Sequence, residues 1–192
     1  MPAPSVAADV EWRECAALLR DDFASFAVWC FRELNPRAPL ARNWHVEVMA
    51  GKLAAVREGQ IRRLMICVPP RHLKSHVASI SFPAWCLGHD PSAQIVCASY
   101  AQDLADKLSR DCRRIVATDW HKQLFPTRLS PRHQAVPEFE TTAQGSRVAT
   151  SVGGVLTGRG ADIIIIDDPL KPEEALSQAQ RQAANEWYDH TL

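Results

Sequence analysis

Ile163-Ile164-Ile165-Ile166-Asp167-Asp168-Pro169 carries the clearest strand signal in the sequence. Four consecutive isoleucines suit a strand covered on both faces, as in a parallel sheet, and two acids followed by a proline end it. Upstream, Leu64-Met65-Ile66-Cys67-Val68 predicts another strand buried on both faces, set between Arg62-Arg63 and Pro69-Pro70. A helix is expected over 75–87, closed by Gly88-His89-Asp90-Pro91, then a strand at Ile95-Val96-Cys97-Ala98 and a helix over 102–117. Residues 126–137 read as loop. Weaker strand signals follow at 138–142 and 146–151, with Gln144-Gly145 as the hairpin turn between them. Beyond the isoleucines, a polar helix is expected from Pro172 to His190, with proline suited to its first turn. Strands alternating with helices indicate α/β with a mainly parallel central sheet.

The N-terminal third is helical. Leu18, Leu19, Phe23, Phe26, Val28, Trp29 and Phe31 recur at helical spacing within 9–34, and Asn35-Pro36-Arg37-Ala38-Pro39 stops that helix. A second helix is expected over 44–58, with Gly59 as its stop. The expected organisation is a helical segment over 1–36 followed by one α/β domain over 37–192.

Composition excludes more than it suggests. Of 192 residues, 46% are hydrophobic, so a packed core is available. Lys+Arg and Asp+Glu both number 22, so no global basic field points to nucleic acid. No uninterrupted apolar run approaches the length of a membrane span, and Met1-Pro2-Ala3-Pro4 lacks the layout of a secretory signal. Six cysteines, none in a C-x-x-C pair, read as a reducing, cytoplasmic chain, with Cys67 and Cys97 expected as small buried hydrophobes.

Open α/β sheets carry their sites beyond the carboxyl ends of the strands. The run Val68-Pro69-Pro70-Arg71-His72-Leu73-Lys74-Ser75 has the layout of a phosphate-binding loop. A strand leads into a tight turn, and Lys-Ser opens a helix whose N–H groups face the phosphates. In G-x-x-x-x-G-K-[ST] the two glycines would fall at Val68 and Leu73, so the loop needs an altered backbone path. A solvated lysine at a helix start is the plainer reading of Lys74 taken alone. The acids after the isoleucines match a Walker B arrangement, with Asp167 holding Mg²⁺ and Asp168 polarising the attacking water. Capping of the following helix is the alternative. Four glycines within 153–160 flank Arg159, which reads either as an arginine finger or as an exposed loop residue.

Together, Asn43-Trp44-His45, the 68–75 loop, Leu156-Thr157-Gly158-Arg159-Gly160-Ala161-Asp162 and the isoleucine strand with Asp167-Asp168-Pro169 carry a resemblance. From about residue 40 onward the chain resembles the N-terminal ATPase domain of the large terminase subunit of tailed bacteriophages, the motor that packages double-stranded DNA. That resemblance implies a three-layer P-loop NTPase fold with ATP and Mg²⁺ as ligands. It assigns Pro70, Arg71, His72, Leu73, Lys74 and Ser75 to the phosphates, and Ser75 with Asp167 to the metal. Asp168 falls where many members carry a catalytic glutamate, one methylene longer. Trp44-His45 falls where the family has an adenine-contacting aromatic–Gln pair, and Arg71 and Arg159 are rival arginine fingers. The implied partners are double-stranded DNA, a portal protein, the small terminase subunit and further copies in a ring, with no membrane. The family's nuclease domain has no counterpart here, so a fragment without DNA cleavage is expected. Another P-loop DNA translocase, helicase-like in kind, and an inactive prophage remnant are the competing readings.

Overall fold

The computed structural model describes residues 6–40, 43–154, 156 and 160–191. The first described elements are α1 (Val6–Asp21) and α2 (Phe23–Leu34), where one helix was expected over 9–34. Asp22 divides them: its side chain accepts from the Ser25 N–H at 2.8 Å, an N-cap that starts a new helix axis. Helix α3 (Trp44–Arg57) is capped by Asn43 and ended by Gly59, whose φ of 74° is the left-handed turn a glycine provides.

The segment 64–68 departs from its expectation. It runs without helix or strand assignment and joins no sheet. Leu64, Ile66 and Val68 pack against the core, whereas Met65 and Cys67 are exposed. The alternation buries one side only, so neither the strand covered on both faces nor the buried Cys67 is realised. The following helix also departs from regular geometry. A π-helical stretch, His76–Ser81, precedes α4 (Phe82–His89).

The remainder builds the sheet: β1 (Gln94–Ser99), α5 (Gln102–Ala117), α6 (Asp119–Leu124), β2 (Leu129–Gln134), β3 (Glu138–Thr141), β4 (Ser146–Ser151), β5 (Ile163–Asp167), then α7 (Gln178–Thr191). Strand order is β2-β3-β4-β1-β5. β1 is parallel to both β4 and β5, while β3 is antiparallel to β2 and β4. The five-stranded sheet is therefore mixed rather than mainly parallel. The reason is the short 142–145 connection, since a tight turn joins only antiparallel neighbours. Part of the expected 126–137 loop is strand β2.

Strand alternation gives the sheet two different faces. Ile95 and Cys97 of β1 face the same way as Ile163 and Ile165 of β5, into the larger core. There Phe23 and Phe26 of α2 meet Phe82 and Trp85 of α4 and Phe125, with ring centroids 5.0–6.5 Å apart. The N-terminal helices thus share one core with the sheet. The opposite face, Val96 and Ala98, is covered by Leu156 and by Trp187 of α7. Helices therefore lie on both sides of the sheet, compatible with a three-layer arrangement. β5 lies at the sheet edge, and Ile164 is 42% exposed.

Candidate functional site

The carboxyl ends of β4, β1 and β5 come level at Ser151, Ser99 and Asp167. Beyond them the chain turns at Asp168, whose φ of 50° is left-handed and whose carbonyl accepts from the Tyr100 N–H at 2.9 Å. These bonds fix the acid pair at the rim of the parallel strands. Asp167 is 4% exposed and Asp168 opens to solvent.

Lys74 reaches across from the loop. Its ammonium lies 3.0 Å from Asp167 Oδ1 and makes an ion pair with Asp168 Oδ1, ninety-four residues distant in the chain. Partial burial works against the lysine charge. The two carboxylates outweigh it, and the Lys74 pKa lies above its ordinary value. The lysine therefore supplies the cation that two adjacent carboxylates at an apolar strand end require.

The 68–75 loop has two left-handed residues. Leu73 has φ 62° and Arg71 has φ 65°, so the left-handed backbone falls at the second glycine position of the motif and again two residues earlier. Val68, the other glycine position, has no positive φ. His72 Nδ1 lies 3.1 Å from Pro69 O and 3.0 Å from Pro70 O. With two carbonyl acceptors, Nδ1 carries the proton and ties the loop to itself. Leu73 O accepts from the Val77 N–H at 2.9 Å, so helical bonding begins within the loop and Lys74-Ser75 open the helix.

Trp44 and His45, distant in sequence, come to the same place. The His45 ring is 5.2 Å from the His72 ring, and Trp44 stands beside His45 with 73% of its surface exposed. The start of α3 thus adjoins the loop and offers an open aromatic face next to it. Arg71 and Pro70 lie exposed on the loop. Arg159 falls outside the described residues. Gly154, at the start of the glycine-rich stretch, is held by a Trp187 Nε1–H donated to its carbonyl at 2.9 Å.

Sequence reading missed two residues behind the site. Ser79 in the π-helical stretch donates its hydroxyl to Asp167 Oδ2 at 2.8 Å. Arg147 on β4 is wholly buried and donates Nη2 to Ser79 O at 3.1 Å. A signal for Arg147 was present: within Ser146-Arg147-Val148-Ala149 it shares strand parity with Ala149, the side that faces the core. Nothing in the sequence marks Ser79.

Among the described residues no group of three or more His, Cys, Asp or Glu gathers as a metal centre. The Ser75 hydroxyl and the Asp167 carboxylate are oxygen donors of the type a hard cation takes, and Asp167 is engaged here by Lys74 and Ser79. The class defined is an α/β protein with an open mixed sheet and a Lys–Asp–Asp centre at the strand ends. No protein-family model matches the chain, and a search of curated proteins finds no match.

Proposed function

We propose that this chain binds ATP with Mg²⁺ and hydrolyses it, as the ATPase part of a terminase-type motor that drives double-stranded DNA into a procapsid. One observation carries the reading: Lys74, at the mouth of the 68–75 loop, meets both Asp167 and Asp168. A lysine that only opened a solvated helix would point to water, and its convergence on two strand-end acids supports a shared site. The left-handed backbone at Leu73, where the motif has glycine, supports the same reading.

In this proposal Lys74 exchanges its carboxylate partners for the β/γ-phosphate oxygens. The N–H groups of the loop and of the helix start at Lys74-Ser75 face the same phosphates. Ser75 and Asp167 would hold Mg²⁺, which would supply positive charge to the phosphoryl group being transferred. Asp168, left free by the lysine, accepts the proton of the attacking water. Trp44 stacks on the base, with His45 beside it. Arg71 and Arg159 are the candidates for stabilising the charge on the γ-phosphoryl group as it passes to water and ADP leaves, within the chain or across a ring of copies. The portal protein, the small terminase subunit and DNA are the partners this reading names.

The test is ATP turnover with and without linear double-stranded DNA, for wild type and Asp168→Asn. Turnover that falls about 100-fold or more in Asp168→Asn, with ATP affinity retained, is the expected result. Turnover indifferent to that change rules out Asp168 as the base. Wild-type turnover that DNA stimulates without a portal favours a helicase-like translocase over a packaging motor.

A further inference from the structure

The π-helical stretch His76–Ser81 has a chemical cause two residues beyond it. In an α-helix the Ser79 carbonyl would accept from the N–H of residue 83, which is Pro83 and has none. The helix is widened there, and Phe82 N–H bonds to Val77 O five residues back. Arg147 supplies a donor to the carbonyl so affected, its Nη2 lying 3.1 Å from Ser79 O. This guanidinium is completely buried, and its Nε and Nη1 have no hydrogen-bond partner among the described residues. Burying an arginine so incompletely satisfied is costly, and packing alone would be better served by an apolar side chain of the same length.

What the arrangement achieves lies on the other side of Ser79. Its hydroxyl donates to Asp167 Oδ2, while Lys74 is 3.0 Å from Oδ1. Strand register places Arg147 and Asp167 on the same sheet face, two strands apart, with the π-helical stretch packed over both. The two oxygens of the Asp167 carboxylate thus serve different ends. Oδ2 is anchored from behind, and Oδ1 points out to the site.

We infer that Arg147 and Ser79 act as positioning residues that hold the Asp167 carboxylate in the one orientation able to present Oδ1 to Lys74 and to a magnesium ion. The metal part of this inference rests on the proposed ATPase reading; the orientation of Asp167 does not. Outer partners of a metal-binding carboxylate characteristically change metal affinity by about 10- to 100-fold when removed.

Two measurements separate the parts. Crystal structures of the ligand-free protein, wild type against Ser79→Ala, report the carboxylate directly. The expected result is an Asp167 side chain rotated off its wild-type position in Ser79→Ala and restored in Ser79→Thr, with the fold unchanged. An unmoved Asp167 in Ser79→Ala overturns the inference. Titration of Mg²⁺ at fixed ATP analogue then reads the metal: the half-saturating Mg²⁺ concentration rises about tenfold in Ser79→Ala and recovers in Ser79→Thr, while metal-free analogue affinity stays level. A purely structural serine would weaken both affinities together, which also overturns the inference. Arg147→Met, which keeps the side-chain length without the donors, is expected to follow Ser79→Ala; if it fails to fold, the serine pair decides alone. Wild type that binds no analogue sinks the ATPase reading, and the ligand-free structures still decide the orientation of Asp167.

Discussion

At Leu73 the side chain and the backbone have opposing requirements. A φ of 62° lies in the left-handed region, where an L-residue costs about 1–2 kcal/mol and glycine costs almost nothing. Leucine nevertheless stands there half-buried, packed against the core. Leu73→Ala and Leu73→Gly remove the same packing, roughly 1 kcal/mol for a leucine only partly covered, so that loss nearly cancels between them. The backbone difference remains. Alanine keeps a Cβ in the left-handed region, whereas glycine is relieved of it but gains about 0.4–1 kcal/mol of unfolded-state entropy. Leu73→Gly should therefore be the more stable of the two, by about 0.5–1 kcal/mol. At an ordinary helical position the order is reversed. In a chain of this length, a difference of that size moves the melting temperature by about 1–4 °C, resolvable by calorimetry and checked by urea midpoints. Leu73→Ala melting at or above Leu73→Gly would refute the left-handed loop in solution, and with it the claim that the loop follows a phosphate-binding path without the glycine.

Two further predictions concern Trp44 and His121. Trp44 is 73% exposed beside the loop, so Trp44→Ala should leave the melting temperature unchanged while weakening ATP by about tenfold, the usual size of an aromatic–base stack; unchanged affinity removes Trp44 from the site. His121 is fully buried among Phe26, Trp120 and Phe125, and its Nε2 donates to Ala84 O at 3.1 Å. Burial above all pushes its pKa from 6.5 down to about 4, so the unfolded chain takes up a proton before the folded one does. The stability it contributes is complete above pH about 6.5 and declines by about 3 kcal/mol as the pH falls to about 4. His76 and His89, both also lowered by burial, add in the same direction. Urea midpoints measured from pH 7.5 to 4.5 should fall steeply for wild type and less so for His121→Gln, whose amide keeps a donor for Ala84 O. Parallel slopes for the two proteins would exclude His121 as a source of acid sensitivity.

Much of the architecture was legible because local chemistry and global packing agree. Helix α5 occupies the expected 102–117, and the isoleucine strand and the Ile95-Val96-Cys97-Ala98 strand pair in parallel. The hairpin at Gln144-Gly145 forms where its turn residues put it, the Thr141 N–H bonding to Gly145 O at 2.8 Å. The failures have physical reasons. An apolar run such as 64–68 reads alike whether it is sheathed by neighbours or lies extended with one side on a core, and only tertiary pairing separates the two. β2 hides a strand behind Pro131, a residue acceptable because β2 lies at the sheet edge. The widened helix was written in Pro83, and the break at Asp22 in its spacing to Ser25; both were overridden by the hydrophobic periodicity around them. At the site, the acid pair was legible as the end of the isoleucine strand, whereas Lys74 follows a run that forms no strand, and its meeting with the acids depends on tertiary placement. Ser79 and Arg147 were not legible, since their roles depend on two elements meeting across the sheet.

In the proposed function, the 68–75 loop binds phosphate despite Val68 and Leu73. Titration of the purified chain with a fluorescent ATP analogue and Mg²⁺, alongside Lys74→Ala, tests it most directly. Saturable binding by wild type that is lost in Lys74→Ala is the predicted result. A folded wild type that binds no analogue, or a Lys74→Ala protein that binds it equally well, would contradict the account.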